Sequence, residues 1–291
     1  MFGCDCSCLH SLFYWTGVLS IASKVVPFLL KTLKGQKPIE LEEKNWKRDV
    51  VYLYQLSGTP TASSTSPYCI KVEAFCRLYG LAFERRNTLS ARGDNNLLPF
   101  IELNGERHSD SQIILRRLTH IFNLKSYPDD SSASIGHAID RLLDNHTANL
   151  IMAAKLPHYG KVVEAMCEAN GLPSLLLPII SRVGGFQLER KKRVKIETTL
   201  GKFSKSEYEE LLRNDLLHLQ IFLGGKEFLL GDRPTAVDCT AFGQFASNYY
   251  AVPSARFLLH DLLDSSEFTP LREYLERVKS SIFEDQFRDS K

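Results

Sequence analysis

"NNLLPFIELNGERHSDSQIILRRL", residues 95–118, decides the fold of this chain. The Asn-Gly pair at 104–105 separates two short strand-like runs, and such a pair is the strongest short-range indication of a β-hairpin. The segment from residue 111 to 122 then shows the apolar spacing of a helix. The stretch therefore predicts a strand, a tight turn, a second strand and a helix.

The residues before this stretch predict one strand-helix-strand unit. "DVVYLYQL" (49–56) is a short apolar strand, and the polar loop 57–65 follows it. "SPYCIKVEAFCRL" (66–78) predicts a helix with Ser66 at the N-cap and Pro67 in the first turn, and 81–88 suits a second strand. Together with the hairpin and its helix, this order predicts an α+β, thioredoxin-like domain over residues 49–126.

The rest of the chain predicts helices. Residues 134–151 space apolar side chains on one helical face, and residues 204–225 begin at a serine cap and end at Gly224 and Gly225. An all-α domain is expected over residues 134–286.

An apolar segment precedes both domains. Residues 9–33 are mostly apolar, although Lys24 and Pro27 interrupt them, and lysines follow. This pattern predicts an apolar helix that anchors the protein in a membrane, spanning or monotopic, with the remainder facing the cytoplasm. Residues 1–33 form the predicted anchor segment and residues 34–48 a linker. A cleaved signal peptide is the rival interpretation.

Composition limits the classes of partner. Among 291 residues, 36 Lys and Arg balance 34 Asp and Glu, so the net charge of +2 argues against nucleic acid as a partner. Seven cysteines without spaced pairs do not form a secreted disulfide framework, so the globular part is predicted to be cytosolic and reduced. Cys4, Cys6 and Cys8 fit palmitoylation, soft-metal capture or an unmodified tail, and no metal site is assigned.

Residues 95–118 resemble the glutathione-binding stretch of glutathione transferases. The resemblance implies that Pro99 is cis, that the backbone of Leu98 pairs with the cysteinyl part of glutathione, and that Asp110 and Ser111 hold its γ-glutamyl end. Glutathione is thus the expected small thiol ligand and co-substrate, and the helical domain is expected to supply an apolar co-substrate pocket. "FLLGDRPTAVDCTAFG" (228–243) is similar to a second, structural motif of that fold, in which Thr235 and Asp238 form a capping box.

A narrower resemblance covers roughly residues 49–286. The stretches 66–78, 228–245 and 270–285, after an apolar N-terminus, look like the failed axon connections family, which is related to metaxins and includes cadmium-responsive membrane proteins. It implies a glutathione-transferase-like protein in detoxification or in the stress response to cadmium or xenobiotics. The alternative that it implies is a non-catalytic interaction module at a membrane. Endolysosomal and mitochondrial outer membranes, a protein partner and a homodimer all stay open.

Ser66 is the catalytic candidate. By the same resemblance it occupies the corner that faces the sulfur of bound glutathione, where a hydroxyl stabilises a thiolate. The competing interpretation is that Ser66 only caps the helix. Cys69 lies in the first turn, where a thiolate is favoured, but it fits a buried structural role as well.

Overall fold

The computed structural model describes residues 40–88, 90–169, 175, 177–284 and 287. From Glu43 onward the described residues form one compact unit. The predicted anchor, residues 1–33, and the first part of the predicted linker lie outside the described residues. Farther along that linker, the Glu43 N–H donates to the Glu102 carboxylate (2.9 Å) and Trp46 lies against Gly105.

The thioredoxin-like part is built on a four-stranded sheet in the order β2-β1-β3-β4. Its strands are β1 (Val51–Gln55), β2 (Phe83–Asn87), β3 (Phe100–Leu103) and β4 (Glu106–Ser109). β1 pairs in parallel with β2 and antiparallel with β3, and β3 pairs antiparallel with β4. The β3–β4 turn places Asn104 and Gly105 at positive φ, as the Asn-Gly pair predicts.

Two helices complete this part. α1 (Pro67–Leu78) crosses between the parallel strands, and α2 (Ser111–Ile121) follows β4. α1 is buried on nearly all sides, because the sheet covers one face and the helical part covers the other. The cleft described below lies where β3, β4 and α2 meet.

The remaining described elements are helical, as the sequence predicts. They are α3 (Asp130–Arg141), a π-helical turn (Leu142–Thr147), α4 (Ala148–Lys155), α5 (Tyr159–Ala169), α6 (Leu177–Thr199), α7 (Lys205–Leu223), α8 (Ala236–Tyr249), α9 (Leu258–Asp264) and α10 (Thr269–Phe283). The π-helical turn connects α3 to α4 directly, so the segment 134–151, which was predicted as one helix, extends over three elements.

α8 lies at the centre of the helical part. Its side chains are buried from Ala236 to Ser247, and it packs against α1. The predicted capping box is present: Asp238 accepts from the Thr235 N–H (2.8 Å) and also from the Tyr274 hydroxyl (2.8 Å). These bonds fix the start of α8 in the core, so the motif stabilises the fold.

The predicted membrane-anchored, cytoplasm-facing placement is corrected by the structure. Within the residues described, no helix is both long and apolar enough to cross a bilayer. The longest of them, α6, has 23 residues but carries a run of charges from Glu189 to Lys195, which a bilayer interior disfavours. Residues 9–33, on which the prediction rested, are outside the described part of the chain.

Candidate functional site

A cleft of about 320 Å³ lies between the thioredoxin-like part and the helical part. Its thioredoxin-like wall is formed around β3, β4 and α2, and its helical wall by the π-helical turn, α4 and α6. The lining residues are Tyr68, Asn95, Leu97, Leu98, Pro99, Ser109, Asp110, Ser111, Gln112, Asp144, Asn145, Asn149, Lys195 and Thr199. Four residues that the family resemblance assigned to glutathione are thus together in one cleft.

The thioredoxin-like wall offers backbone and hydroxyl groups. The Leu98–Pro99 peptide bond is cis. Asp110 caps α2, because its Oδ1 accepts from the N–H of Gln112 (2.9 Å) and that of Ile113 (3.4 Å). Within the described part of the chain, the hydroxyl of the largely buried Ser111 makes no hydrogen bond, so it remains able to bind a ligand.

Asp110 also has a strained backbone. Its φ of 76° lies in the left-handed region, which side chains other than glycine rarely adopt. Such outliers cluster at functional sites, since the surrounding structure has to hold them in place. The strain adds an indication, independent of the family resemblance, that this corner binds a ligand.

The helical wall is polar, and the negative charge of its acid, Asp144, is neutralised by neighbouring cations. Asp144 accepts from Lys71 Nζ (2.6 Å), from Gln244 Nε2 (2.8 Å) and from an Arg141 guanidinium nitrogen (3.3 Å). It lies in the π-helical turn, a distortion that is frequent at functional sites. Because its charge is matched by two cations, Asp144 is a structural acid and not a free carboxylate of the cleft.

Lys71 connects the two parts of the protein. Its ammonium group, on α1, contacts Asp140 (2.8 Å) and Asp144 (2.6 Å) on the helical side, and its side chain is only 1% exposed. Burial opposes ionisation of Asp140, yet the charge of Lys71 and hydrogen bonds from Lys71 and Thr240 lower the pKa of that carboxyl. The ion network therefore holds the cleft walls in register.

Ser66 is at the N-cap of α1, as predicted, but its side chain makes no capping bond. Its hydroxyl instead lies close enough to Cys69 to lower the pKa of that thiol. Among the described residues that line the cleft, Ser66 is absent. The catalytic candidate is thus buried next to Cys69 and is not part of the cleft lining.

Cys69 is fully buried at the start of α1. Burial raises the pKa of its thiol, although hydrogen bonds with Ser66 and Ser64 oppose this. A thiol with a raised pKa is a poor nucleophile at neutral pH. Cys69 therefore fits a buried structural role better than the role of a reactive thiolate.

Tyr68, on α1, brings a phenolic hydroxyl to the cleft lining, which also includes the hydroxyls of Ser109, Ser111 and Thr199. No sequence pattern distinguished it, apart from its position two residues after Ser66 in "SPYC". Burial, followed by the charge of Asp144, raises the pKa of Tyr68 to about 12, and the side chain hydrogen-bonds Gln244. The phenol consequently stays protonated at neutral pH, so it can donate a hydrogen bond but cannot act as a base.

The structure does not test the three N-terminal cysteines, for which palmitoylation, soft-metal capture and an unmodified tail were left open. Cys4, Cys6 and Cys8 lie outside the described residues. In the ranges that the structure describes, no three His, Cys, Asp or Glu side chains form a metal-binding group.

Comparisons with known proteins identify the family. Residues 67–159 match the glutathione S-transferase N-terminal domain, and residues 212–278 match the glutathione S-transferase C-terminal domain. The chain is 31% identical over 256 residues to Failed axon connections of Drosophila melanogaster. The chain belongs to the glutathione S-transferase-like family. The predicted family is confirmed, and the match covers 84% of this chain but only 61% of the length of Failed axon connections.

Solved structures show the glutathione transferase fold. A glutathione transferase from Phanerochaete chrysosporium has a TM-score of 0.55 at 14% identity and covers 80% of this chain and 98% of its own. A glutathione S-transferase from Ceriporiopsis subvermispora, solved in complex with glutathione, has a TM-score of 0.50 at 16% identity, with coverages of 80% and 96%. The predicted thioredoxin-like and helical parts are thus confirmed as a glutathione transferase fold.

Proposed function

We propose that this chain binds glutathione in the cleft. The observation that carries the proposal is that Leu98 and Pro99 line one wall together with Asp110 and Ser111, which follow the β3–β4 hairpin. The Ceriporiopsis subvermispora protein, whose fold this chain shares, was solved with glutathione bound.

The wall suits the chemistry of the tripeptide. A helix N-terminus and the Ser111 hydroxyl favour the γ-glutamyl carboxylate, because the helix dipole and a hydroxyl donor stabilise an anion. The negative charge of Asp110 favours the neighbouring α-ammonium group. The Leu98 backbone pairs with the cysteinyl unit and directs its sulfur toward the helical wall.

We propose further that the bound thiol is conjugated to an electrophile, which would serve detoxification in xenobiotic or cadmium stress. This step needs a hydroxyl that stabilises the thiolate. Tyr68 lines the cleft and keeps its proton, whereas Ser66 has to turn away from Cys69 to reach the sulfur. Both residues remain candidates for this role, and their variants distinguish them.

Titration calorimetry with glutathione and the full chain tests binding. Ser111→Ala is the informative variant, because loss of its hydroxyl removes one ligand contact without removing a hydrogen bond of the described structure. Ser131→Ala, at the exposed start of α3, is the matched control. We expect wild type and Ser131→Ala to bind with equal affinity, and Ser111→Ala about fivefold more weakly, the value of one hydrogen bond.

Absence of heat at millimolar glutathione with the wild type would refute the proposal. Equal binding by all three proteins would remove Ser111 from the site.

A second candidate function is a non-catalytic interaction module. The position of Ser66 outside the cleft lining favours it, because such a protein does not need to activate a thiol. It predicts that glutathione binds but that conjugation of a general electrophile is no faster than without protein. Protein-dependent conjugation would contradict this candidate.

A further inference from the structure

The helical wall includes a segment that neither family match covers. Residues 160–211 lie between the two matches, and α6 belongs to this segment. α6 packs closely on α5: a Cβ added at Gly185 would approach the Gly160 Cα to 2.6 Å. This contact fixes α6 so that Lys195 and Thr199, one helical turn apart, both line the cleft.

Lys195 contributes an unmatched positive charge. Among the described residues no carboxylate forms an ion pair with it. The two acids that line the cleft have other partners, because Asp144 pairs with Lys71 and Arg141, and Asp110 caps α2. On the same helix, burial and then the charges of Lys195 and Lys191 lower the pKa of Lys192. This side of the cleft therefore favours an anion.

Asn149 contributes an unmatched acceptor. The residue is 4% exposed and lines the cleft, and its Nδ2 donates to the Asn145 carbonyl. Its Oδ1 is buried and has no donor in the described structure. Exchanging the positions of Oδ1 and Nδ2 would not give Asn149 a better set of partners, because its oxygen would then face the Asn145 carbonyl oxygen. A buried acceptor without a protein partner is costly, so this position favours an N–H or O–H donor.

We propose that the helical wall binds a polar acid, with a carboxylate at Lys195 and an N–H or O–H donor at Asn149. The inference rests on the proposed glutathione function, since the acid is the electrophilic co-substrate. The thiolate sulfur forms a bond to the electrophilic carbon of the acid while the bond from that carbon to its leaving group breaks. The leaving group departs with the electron pair, the thiol proton goes to solvent, and the acid becomes the substituent on the glutathione sulfur. It replaces the apolar co-substrate that the family resemblance implied. α6 is the element that sets this specificity.

Three glutathione derivatives separate the two contacts by the substituent on their sulfur. The substituent of S-methylglutathione carries neither group, that of S-carboxymethylglutathione carries a carboxylate, and that of S-carbamoylmethylglutathione, equal in size to the acid, carries N–H donors without charge. Titration calorimetry with the wild type and unmodified glutathione comes first. We expect the acid and the amide both to bind more tightly than the S-methyl derivative.

Two variants should then act on different probes. Lys195→Gln should weaken the acid about fivefold and leave the amide unchanged, as expected for a partly exposed ion pair. Asn149→Leu should weaken the amide by a similar factor and affect the acid less, with a thermal melt to show that the variant is folded. Lys191→Gln removes the same charge from an exposed position of α6 that is not among the lining residues, and should change neither affinity.

Several results would overturn the inference. If glutathione binds but the acid and the amide bind no better than the S-methyl derivative, the wall does not recognise a polar acid. If Lys195→Gln weakens all derivatives and glutathione equally, Lys195 holds the tripeptide itself. If Lys191→Gln weakens binding of the acid as much as Lys195→Gln does, the affinity depends on the overall positive charge of α6 and not on a contact with Lys195. If neither glutathione nor any derivative binds, the proposed function and this inference both fail.

Discussion

The two walls of the cleft are built in different ways. The thioredoxin-like wall comes from adjacent sequence, residues 95–112, in which a hairpin and a helix start follow each other. The helical wall joins Asn149 on α4 with Lys195 and Thr199 on α6, about 50 residues away along the chain. One wall is a local backbone motif, and the other exists only through packing.

This difference separates what is common to the fold from what is particular to this chain. A backbone motif that binds the invariant peptide portion of glutathione can be the same in many proteins. Side chains brought together by packing can vary without disturbing that motif. We therefore expect variants of the thioredoxin-like wall to affect peptide binding, and variants of the helical wall to affect what is joined to the sulfur.

The largest effect should follow from separating the walls. Lys71→Met removes the buried cation that contacts Asp140 and Asp144, leaving carboxylates that Arg141 compensates only partly. Breaking a buried ion network in this way costs about 3–5 kcal/mol of unfolding free energy. Urea denaturation should detect it as a lower midpoint.

Arg213→Met is the matched control, since its pair with Glu267 is about half exposed and should cost less than about 1 kcal/mol. Similar losses in both variants would mean that Lys71 does not hold the walls together.

A second buried lysine supports the helical wall, and among the described residues it has no carboxylate as an ion-pair partner. Lys155 ends α4, donates to Asn248 Oδ1 (3.0 Å), and has its pKa lowered by burial, and then by Lys192, to about 8. A lysine pKa below its unfolded value near 10.5 means that the folded state binds fewer protons between these pH values. Stability from this group should therefore rise from pH 8 to pH 10, on the order of 3 kcal/mol over the whole window.

The difference in unfolding free energy between wild type and Lys155→Met measures this dependence, since other titrations cancel in it. Lys205→Met, at an exposed position, should track the wild type across the range. A pH-independent difference for Lys155→Met would show that the amine is not perturbed.

Turnover should distinguish the two hydroxyls next to the thioredoxin-like wall. If Tyr68 donates to the thiolate, Tyr68→Phe should reduce kcat about a hundredfold, a typical value for one lost oxyanion donor, and Ser66→Ala should have a small effect. The reverse pattern would assign the role to Ser66. The assay is glutathione conjugation, and calorimetry should show unchanged glutathione affinity in both variants. Unchanged turnover in both would exclude either hydroxyl from the chemistry.

The sequence predicted the thioredoxin-like wall because its parts are local. Asn104-Gly105 specifies its own turn, and the Asp110-Ser111 helix start is visible in residue types alone. The helical wall could not be predicted, because the meeting of Asn149 with Lys195 depends on how α4, α5 and α6 pack. Ser66 shows the same limit: its N-cap position was correct, but the direction of its hydroxyl toward Cys69 depends on the tertiary surroundings.

The smallest effect concerns backbone strain in the thioredoxin-like wall. Asp110→Ala loses the cap and also places an alanine at a φ of 76°, whereas Asp110→Gly loses the cap but relieves the strain. Ser204 is a matched cap of α7 at an ordinary φ of −66°, with its own capping box. The stability difference between the alanine and glycine variants should be larger at residue 110 than at residue 204 by about 1 kcal/mol, the cost of one strained residue. Urea denaturation of the four variants measures both differences, and equal differences would show that the Asp110 conformation is not strained. If the extra difference is found, the wall stores its strain at the residue proposed to meet the α-ammonium group, and glutathione should bind Asp110→Gly more weakly even where that variant is stable.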